Sequence, residues 1–448
     1  MIDSLLVANR GEIARRIIRT ARGLGVRTVA VHSPVDKDLP FVGEADQAYE
    51  LVSGTTAGYG DADAVLAALR ESGAQAVHPG YGFLSENADF AAAVLRAGCG
   101  WVGPEPETIA AMGDKIEARA RVAAAGVPVL PSSPGAVRSL DEVDEAAESV
   151  GFPLMMKASA GGGGMGMVVA HDRAAAARAY QSLIDKTMRL FGDDRIFVER
   201  YLPSARHVEV QILGLADGRV IALGDRDCSV QRRNQKLLEE APAPGLDGTL
   251  RAALAEAAVA AGESVHYRNA GTVEFLVDPR TGEFFFLEMN TRLQVEHPVT
   301  EAVFGVDLVA AQLRIASGEP VGFALDGLRS RGHAIEMRVN AEDARRFLPS
   351  PGDITAWEEP AGEGIRVDAG YGKGDAVTAQ YDSLLAKLIV HAGDREAAIA
   401  LAREAVAAFV VSGPKTTLPF HLELLDDPEF RSGDYDTGII SRMRERAG

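Results

Sequence analysis

Cysteine is nearly missing from this 448-residue chain: Cys99 and Cys228 are the only two. That excludes a disulfide framework and a cysteine-based zinc site, and it fits a reducing compartment, so a cytoplasmic location is expected. Positive charge is also scarce. Lys and Arg total 46 against 64 Asp and Glu, a net charge of −18, which argues against a wide basic surface and hence against a nucleic-acid partner. Anionic ligands must be met by local cationic clusters instead. No apolar run approaches the ~18 residues that a membrane span requires. The first residues run straight into a short apolar strand without a basic leader, so no signal peptide is expected. Internal repeats and low-complexity tails are absent too. What remains, at 47% hydrophobic and 25% charged, is the composition of a globular protein with a large core.

The chain opens on an alternation. Residues 5–8 read as a buried strand, 11–24 as a helix with Ile13, Ile17, Ile18 and Leu24 at helical spacing, and 28–31 as a second strand. A helix at 63–72 and strands at 76–78 and 101–103 continue it, predicting a doubly wound α/β layer. Asn9-Arg10-Gly11-Glu12 stands where a GxGxxG loop would follow the first strand, so NAD binding is not expected. Past Pro128, Pro131 and Pro134, an acidic helix at 141–149 leads to a strand at 152–158, the run Gly161-Gly162-Gly163-Gly164-Met165-Gly166-Met167, and a strand at 168–170. A Walker A loop would continue into Gly-Lys-Ser/Thr and a helix, so that chemistry is excluded. Two readings stay open: a merely flexible turn, or a flap whose bare N–H groups close over phosphate. Beyond about residue 330, strands at 333–339, 365–367 and 387–391 and a helix at 395–409 suggest a third, mostly β unit.

The segment 271–300 carries most of the chemistry. Residues 272–277 and 284–289 are strand-like, and Asp278-Pro279-Arg280-Thr281-Gly282 supplies a turn. If Asp278 and Phe284 close a five-residue loop, Glu274 falls across from Glu288 and Asn290 shares their face. Opposed carboxylates repel, and a hard divalent cation between them, held with an amide oxygen, is the natural remedy. Counting on by twos in an extended chain gives Glu288, Asn290, Arg292, Gln294 and Glu296, interleaved with apolar residues. Such a stripe suits a small oxyanion beside a metal–nucleotide. A solvated sheet face would explain isolated acids but not this series. Arg226 to Lys236 is a second cationic supply; Cys228 within it has no catalytic partner implied by spacing.

Taken together, Ala8 to Ala14, His78 to Asn87, Met112-Gly113-Asp114-Lys115, the glycine loop, Arg226 to Lys236, Glu239-Glu240-Ala241-Pro242, Glu288 to Pro298 and Phe347 to Gly352 resemble biotin carboxylase, the ATP-grasp component of acetyl-CoA, propionyl-CoA and pyruvate carboxylases. The resemblance covers essentially the whole chain. It implies an N-terminal α/β domain over 1–112, an ATP-grasp domain over 113–330 with a glycine-rich lid at about 131–202, and a C-terminal, mostly β domain over 331–446.

It also implies roles. Lys115 and Lys157 would hold nucleotide phosphates, with Gly162, Gly163, Gly164 and Met167 in the lid, Glu199 and Leu202 at the adenine, and His207 and Gln231 nearby. Glu274, Glu288 and Asn290 match the Mg²⁺ (or Mn²⁺) positions. Lys236, Arg292, Gln294 and Val295 match the bicarbonate site, and Glu296 the general base. Tyr81, Gly82 and Arg338 match the biotin side, and Lys236 and Arg292 join Glu296 and Arg338 as the catalytic group. ATP would activate bicarbonate as carboxyphosphate, whose phosphate would then deprotonate biotin while Arg338 stabilises the enolate-like oxygen. No Ala-Met-Lys-Met biotinylation motif occurs, so biotin is expected on a carrier protein or domain, with a carboxyltransferase as further partner and a homodimer as the expected assembly. Met165 and Asn234 depart from the Arg or Lys and the His frequent at those places. Two rivals stay open: another ATP-grasp carboxylate–amine ligase, and a non-catalytic nucleotide-binding regulator.

Overall fold

A computed structural model describes residues 1–52, 58–158, 166–191 and 194–447. Ser4–Val7, buried at all four positions, is the central strand of a five-stranded parallel sheet. Arg27–His32 and Ala76–His78 flank it, and Gln47–Glu50 and Gly100–Trp101 form the edges. This is the doubly wound layer the alternation predicts. At its switch point, Nδ2 of Asn9 donates to the carbonyls of Pro79 and Tyr81, both at 2.7 Å, joining two segments 70 residues apart in sequence. Gly80 sits there at φ +63, and a Cβ on it would lie 2.8 Å from Asn9 Nδ2, so only glycine fits.

The larger body is an eight-stranded antiparallel sheet. Its order is Phe284–Asn290, Asn269–Val277, Arg206–Gly214, Val220–Arg232, Gln235–Ala241, His333–Asn340, Leu384–Ala392, Ile365–Ala369. The sheet does not stop near residue 330: the last three strands extend the same ladder, His333–Asn340 pairing with Gln235–Ala241. On one face Val208, Val210, Ile212, Val273 and Phe275 pack beneath the helices Lys115–Ala124 and Gly248–Glu263. The period of two turns the intervening polar residues to the opposite face.

A smaller three-stranded sheet, Met167–Ala170, Leu154–Ala158 and Ile196–Arg200, carries the helices Leu140–Val150 and Arg173–Phe191 on its own core of Leu154, Met156, Ile196 and Val198. Gly162, Gly163, Gly164 and Met165 lie outside the described residues. Among the described residues, no helix is long and apolar enough to cross a membrane.

Candidate active site

The polar face of the large sheet is ordered as rows across neighbouring strands. Glu288 pairs with Glu274, Glu274 with Glu209, and Glu209 with Arg226. A second row sets Asn290 against Thr272 and Thr272 against Gln211. Three acids side by side need cations, and the chain supplies two. Arg226, fully buried, uses all five donors: Nε to Glu209 at 2.5 Å, and its terminal nitrogens to Gln211, Thr300, Thr272 and Gln294 at 2.7–3.1 Å. Lys236 spends its three protons on Glu209 (2.7 Å), Glu274 (3.0 Å) and Glu296 (2.6 Å).

The predicted hairpin forms, but by another path. Phe284 pairs with Val277, not Asp278, and Phe275 pairs with Phe286. A bulge at Leu287 then restores the opposition of Glu274 and Glu288. The extended stripe is also corrected: the strand ends at Asn290, and residues 291–296 bend into the helix His297–Phe304, with Glu296 at its N-cap. Pro298 in the first turn favours that helix start. Hydrogen bonds, not alternation, bring the side chains together. Gln294 Nε2 and Asn290 Nδ2 both donate to Oε1 of Glu274, at 2.8 and 2.9 Å. Arg292 donates to Oδ1 of Asn290 at 2.8 Å and to Glu86 at 3.1 Å, so the amide oxygen expected on a metal is taken by an arginine here.

Glu296 is gripped from two sides, by Lys236 on Oε1 and by Arg338 on Oε2 at 3.1 Å. Arg338 is held from behind by Glu239, Nε to Oε1 at 2.7 Å. Burial pushes the Glu296 carboxyl up, but Lys236, Arg338 and Arg226 outweigh it and hold it far below the ordinary carboxylate range. Glu274 is likewise held low, burial being overcome by Lys236 and His207; His207 Nε2 lies 2.8 Å from Oε2 of Glu274. Glu288 moves the other way. Burial and the neighbouring Glu274 charge push it up, and Lys115 opposes them. A divalent cation between these opposed oxygen donors would remove the repulsion that Lys115 only offsets, so Glu274 and Glu288 fit a Mg²⁺ ion.

The other expected residues lie around this core. In the three-stranded sheet Lys157 pairs with Glu199 at 2.5 Å, and Met167 is its cross-strand neighbour. Leu202 follows the strand Ile196–Arg200. Lys115 begins a helix near enough for the charges of Glu288 and Lys157 to act on it, and burial lowers it. Gln231 lies 3.3 Å from Nδ1 of His207. The Val295 carbonyl accepts from Lys387 at 2.8 Å. Tyr81 donates its hydroxyl to Glu12, with Gly82 at φ +67 beside it. No role is read from the sequence for Glu209, Gln211, Glu239 or Glu86, although Glu239 and Glu86 stand within segments that carry the resemblance. For the first two a signal exists: His207, Glu209 and Gln211 alternate with Val208, Val210 and Ile212. Cys228 is fully buried with its thiol pushed well up by burial, then by Glu209, which suits a structural thiol.

The sequence matches "Biotin carboxylase, N-terminal domain" over residues 1–109, "Carbamoyl-phosphate synthase L chain, ATP binding domain" over 114–323 and "Biotin carboxylase C-terminal domain" over 336–442. It is 44% identical over 445 residues to biotin carboxylase of Allochromatium vinosum, covering 99% of each chain. The chain belongs to the biotin carboxylase family. It is also 45% identical over 444 residues to biotin carboxylase of Pseudomonas aeruginosa, covering 99% of this chain and 98% of that one. The biotin carboxylase domain dimer of Hydrogenobacter thermophilus 2-oxoglutarate carboxylase, solved with MgADP, ADP and bicarbonate, superposes with a TM-score of 0.96 at 41% identity, covering 99% of this chain and 98% of that one. The three-stranded sheet lies near enough to the acidic rows for the charge of Lys157 to act on Glu288.

Proposed function

We propose that this chain carboxylates carrier-borne biotin with bicarbonate at the expense of ATP, the first half-reaction of an acyl-CoA or keto-acid carboxylase. The observation that carries the reading is the grip on Glu296: one carboxylate between Lys236 and Arg338, beside Gln294 and next to the Glu274–Glu288 pair. A carboxylate held so low is a poor base. A bicarbonate ion drawn between Lys236, Arg292 and Arg338 divides their charge with Glu296 and releases its basicity only when substrate is present. Glu296 then takes the bicarbonate proton as the carbonate oxygen attacks the γ-phosphoryl group, whose bond to ADP breaks to give carboxyphosphate and ADP. Lys115, Lys157 and Lys236 face the charge that develops, and Mg²⁺ held by Glu274 and Glu288 would supply electrostatic stabilisation of the phosphates. Arg338, whose charge acts on the Tyr81 hydroxyl, is assigned to the ureido oxygen of biotin, with Tyr81 and Gly82 assigned to the biotin side.

The proposed domain organisation is 1–112, 113–330 and 331–446, supported by the three family matches. The partners proposed are a biotinylated carrier, a carboxyltransferase and a second copy of the chain; the Hydrogenobacter relative is a dimer. The test is bicarbonate-dependent ATP cleavage stimulated by free biotin. Glu296→Gln is expected to lower it by about 10²–10⁴-fold and Arg338→Ala by about 10²–10³-fold. Normal turnover in both variants refutes the assignments.

A further inference from the structure

The reaction leaves one buried carboxyl group at the site unused. Glu336, in His333–Asn340, lies directly across from Glu239 in Gln235–Ala241, and both are fully buried. Among the described residues, neither oxygen of Glu336 receives a hydrogen bond, and Oε2 of Glu239 receives none either. Only Oε1 of Glu239 is used, by Arg338. Two ionised carboxylates opposed on adjacent strands, with three of four oxygens lacking a donor and sealed from water, combine repulsion with unmet solvation. One proton removes the repulsion and leaves one of the three oxygens without a donor, because the O–H of Glu336 then donates to the free oxygen of Glu239.

The cations nearby are committed elsewhere. Lys387, on the strand that flanks Glu336 from the other side, donates to the Val295 carbonyl and lies 3.2 Å from Glu12 and 4.0 Å from Asp368. Arg338, two residues along, is divided between Glu239 and Glu296, and Lys236 is filled by its three carboxylates. The helix covering this face brings Val299 and Val303 onto Ala334. It also brings His297, kept neutral by burial with Nδ1 2.8 Å from the Gln294 carbonyl, and Glu301, taken by Arg16 and Arg366. Nε2 of His391 is 2.9 Å from the Arg331 carbonyl.

We propose that Glu336 and Glu239 hold one proton between them, Glu336 as the neutral acid and Glu239 as the carboxylate it donates to, and that this pair positions the guanidinium of Arg338. Burial pushes Glu336 well above its ordinary value against the pull of Lys387, with Glu239 adding to the shift, and burial pushes Glu239 to about 7 against the pull of Arg338. The backbone at Arg338 is pinned separately: its carbonyl accepts from Thr417 Oγ1 at 2.7 Å and lies 2.9 Å from Nε2 of His421. Only the guanidinium end is left to respond. With one negative charge behind it, Arg338 stays forward toward Glu296; removing the shared proton adds a second charge behind and draws it back. Glu239 and Glu336 thus act through Arg338 as positioning residues.

The proton assignment stands on this geometry alone, whereas its effect on turnover rests on the reaction proposed above. Infrared spectra of the full chain, titrated from about pH 6 to about pH 9, read the proton without any turnover. The wild-type chain is expected to show the carbonyl band of a buried carboxylic acid at neutral pH, lost in Glu336→Gln and shifted in Glu239→Gln. Absence of the band from the wild type, its survival in Glu336→Gln, or an unshifted band in Glu239→Gln overturns the pairing. In the biotin-stimulated assay Glu336→Gln, which keeps a neutral donor, is expected to exceed Glu336→Ala by about tenfold in kcat/KM for biotin and to lack the alkaline loss of the parent. Equal losses in the two variants, or an unchanged alkaline limb, overturn the positioning role.

Discussion

Single residues carry the site's stability through buried charge that is fully matched. Arg226 satisfies five acceptors at once, so Arg226→Leu takes the donor from Oε1 of Glu209 and from Oε1 of Gln294, both buried. A loss of about 3–5 kcal/mol is expected in urea denaturation. Glu240 is a second case, away from the reacting groups. Burial pushes it up, but hydrogen bonds from His333 and Arg395 outweigh that and hold it at about 2 against an ordinary 4.5. A depressed carboxyl stabilises the fold at every pH above about 4.5, and that stabilisation fades as pH falls toward 2. The full effect is about 3 kcal/mol. Glu240→Gln is therefore expected to be less stable at neutral pH and to lose less on acidification than the parent, as followed by denaturant titration. Glu274, Glu288 and Lys236 were legible in the sequence because charge there is conspicuous. The role of Glu239 was not: two adjacent acids in Leu237-Leu238-Glu239-Glu240-Ala241 have no periodic signature, and that role appears only when Arg338 arrives from 99 residues away.

Local chemistry fixes elements where a turn or a strand end dictates them. The hairpin joining Val220–Arg232 to Gln235–Ala241 turns through Arg233 and Asn234 at φ +52 and +65, the two left-handed residues of a primed turn. Asn and His both tolerate that region better than other non-glycine residues, which explains how Asn234 stands where a His is frequent. Asn234→Val is expected to cost about 1–2 kcal/mol and Asn234→Gly less than about 1 kcal/mol, measured by thermal unfolding. Four strands of the parallel sheet were legible to within a few residues, since apolar runs and helical spacing mark them, but the edge strand Gln47–Glu50, largely exposed, was not. The bulge at Leu287 was not, because Phe284-Phe285-Phe286-Leu287 gives no alternation to betray an extra residue. The opposed acids were anticipated with the right partners and the wrong loop.

Across the whole molecule, the sheet is the device that assembles the site. The three strands at one edge bring the acidic rows, strands toward the other edge bring Arg338 and Lys387, and Lys387 reaches Glu12 from the parallel-sheet layer. Sequence motifs indicated which segments matter. They did not indicate that residues 333–392 share a ladder with residues 206–241, since register between distant strands is decided by packing rather than by local pattern. The central claim is that bicarbonate, held between Lys236 and Arg338, attacks the γ-phosphoryl group with Glu296 as base. Turnover with oxygen-18 bicarbonate, Mg²⁺, ATP and free biotin tests it most directly. One labelled oxygen is expected in each phosphate released, because the oxygen that forms the new P–O bond leaves with phosphorus. Phosphate whose new oxygen comes from water, at the same rate with or without bicarbonate, contradicts the account.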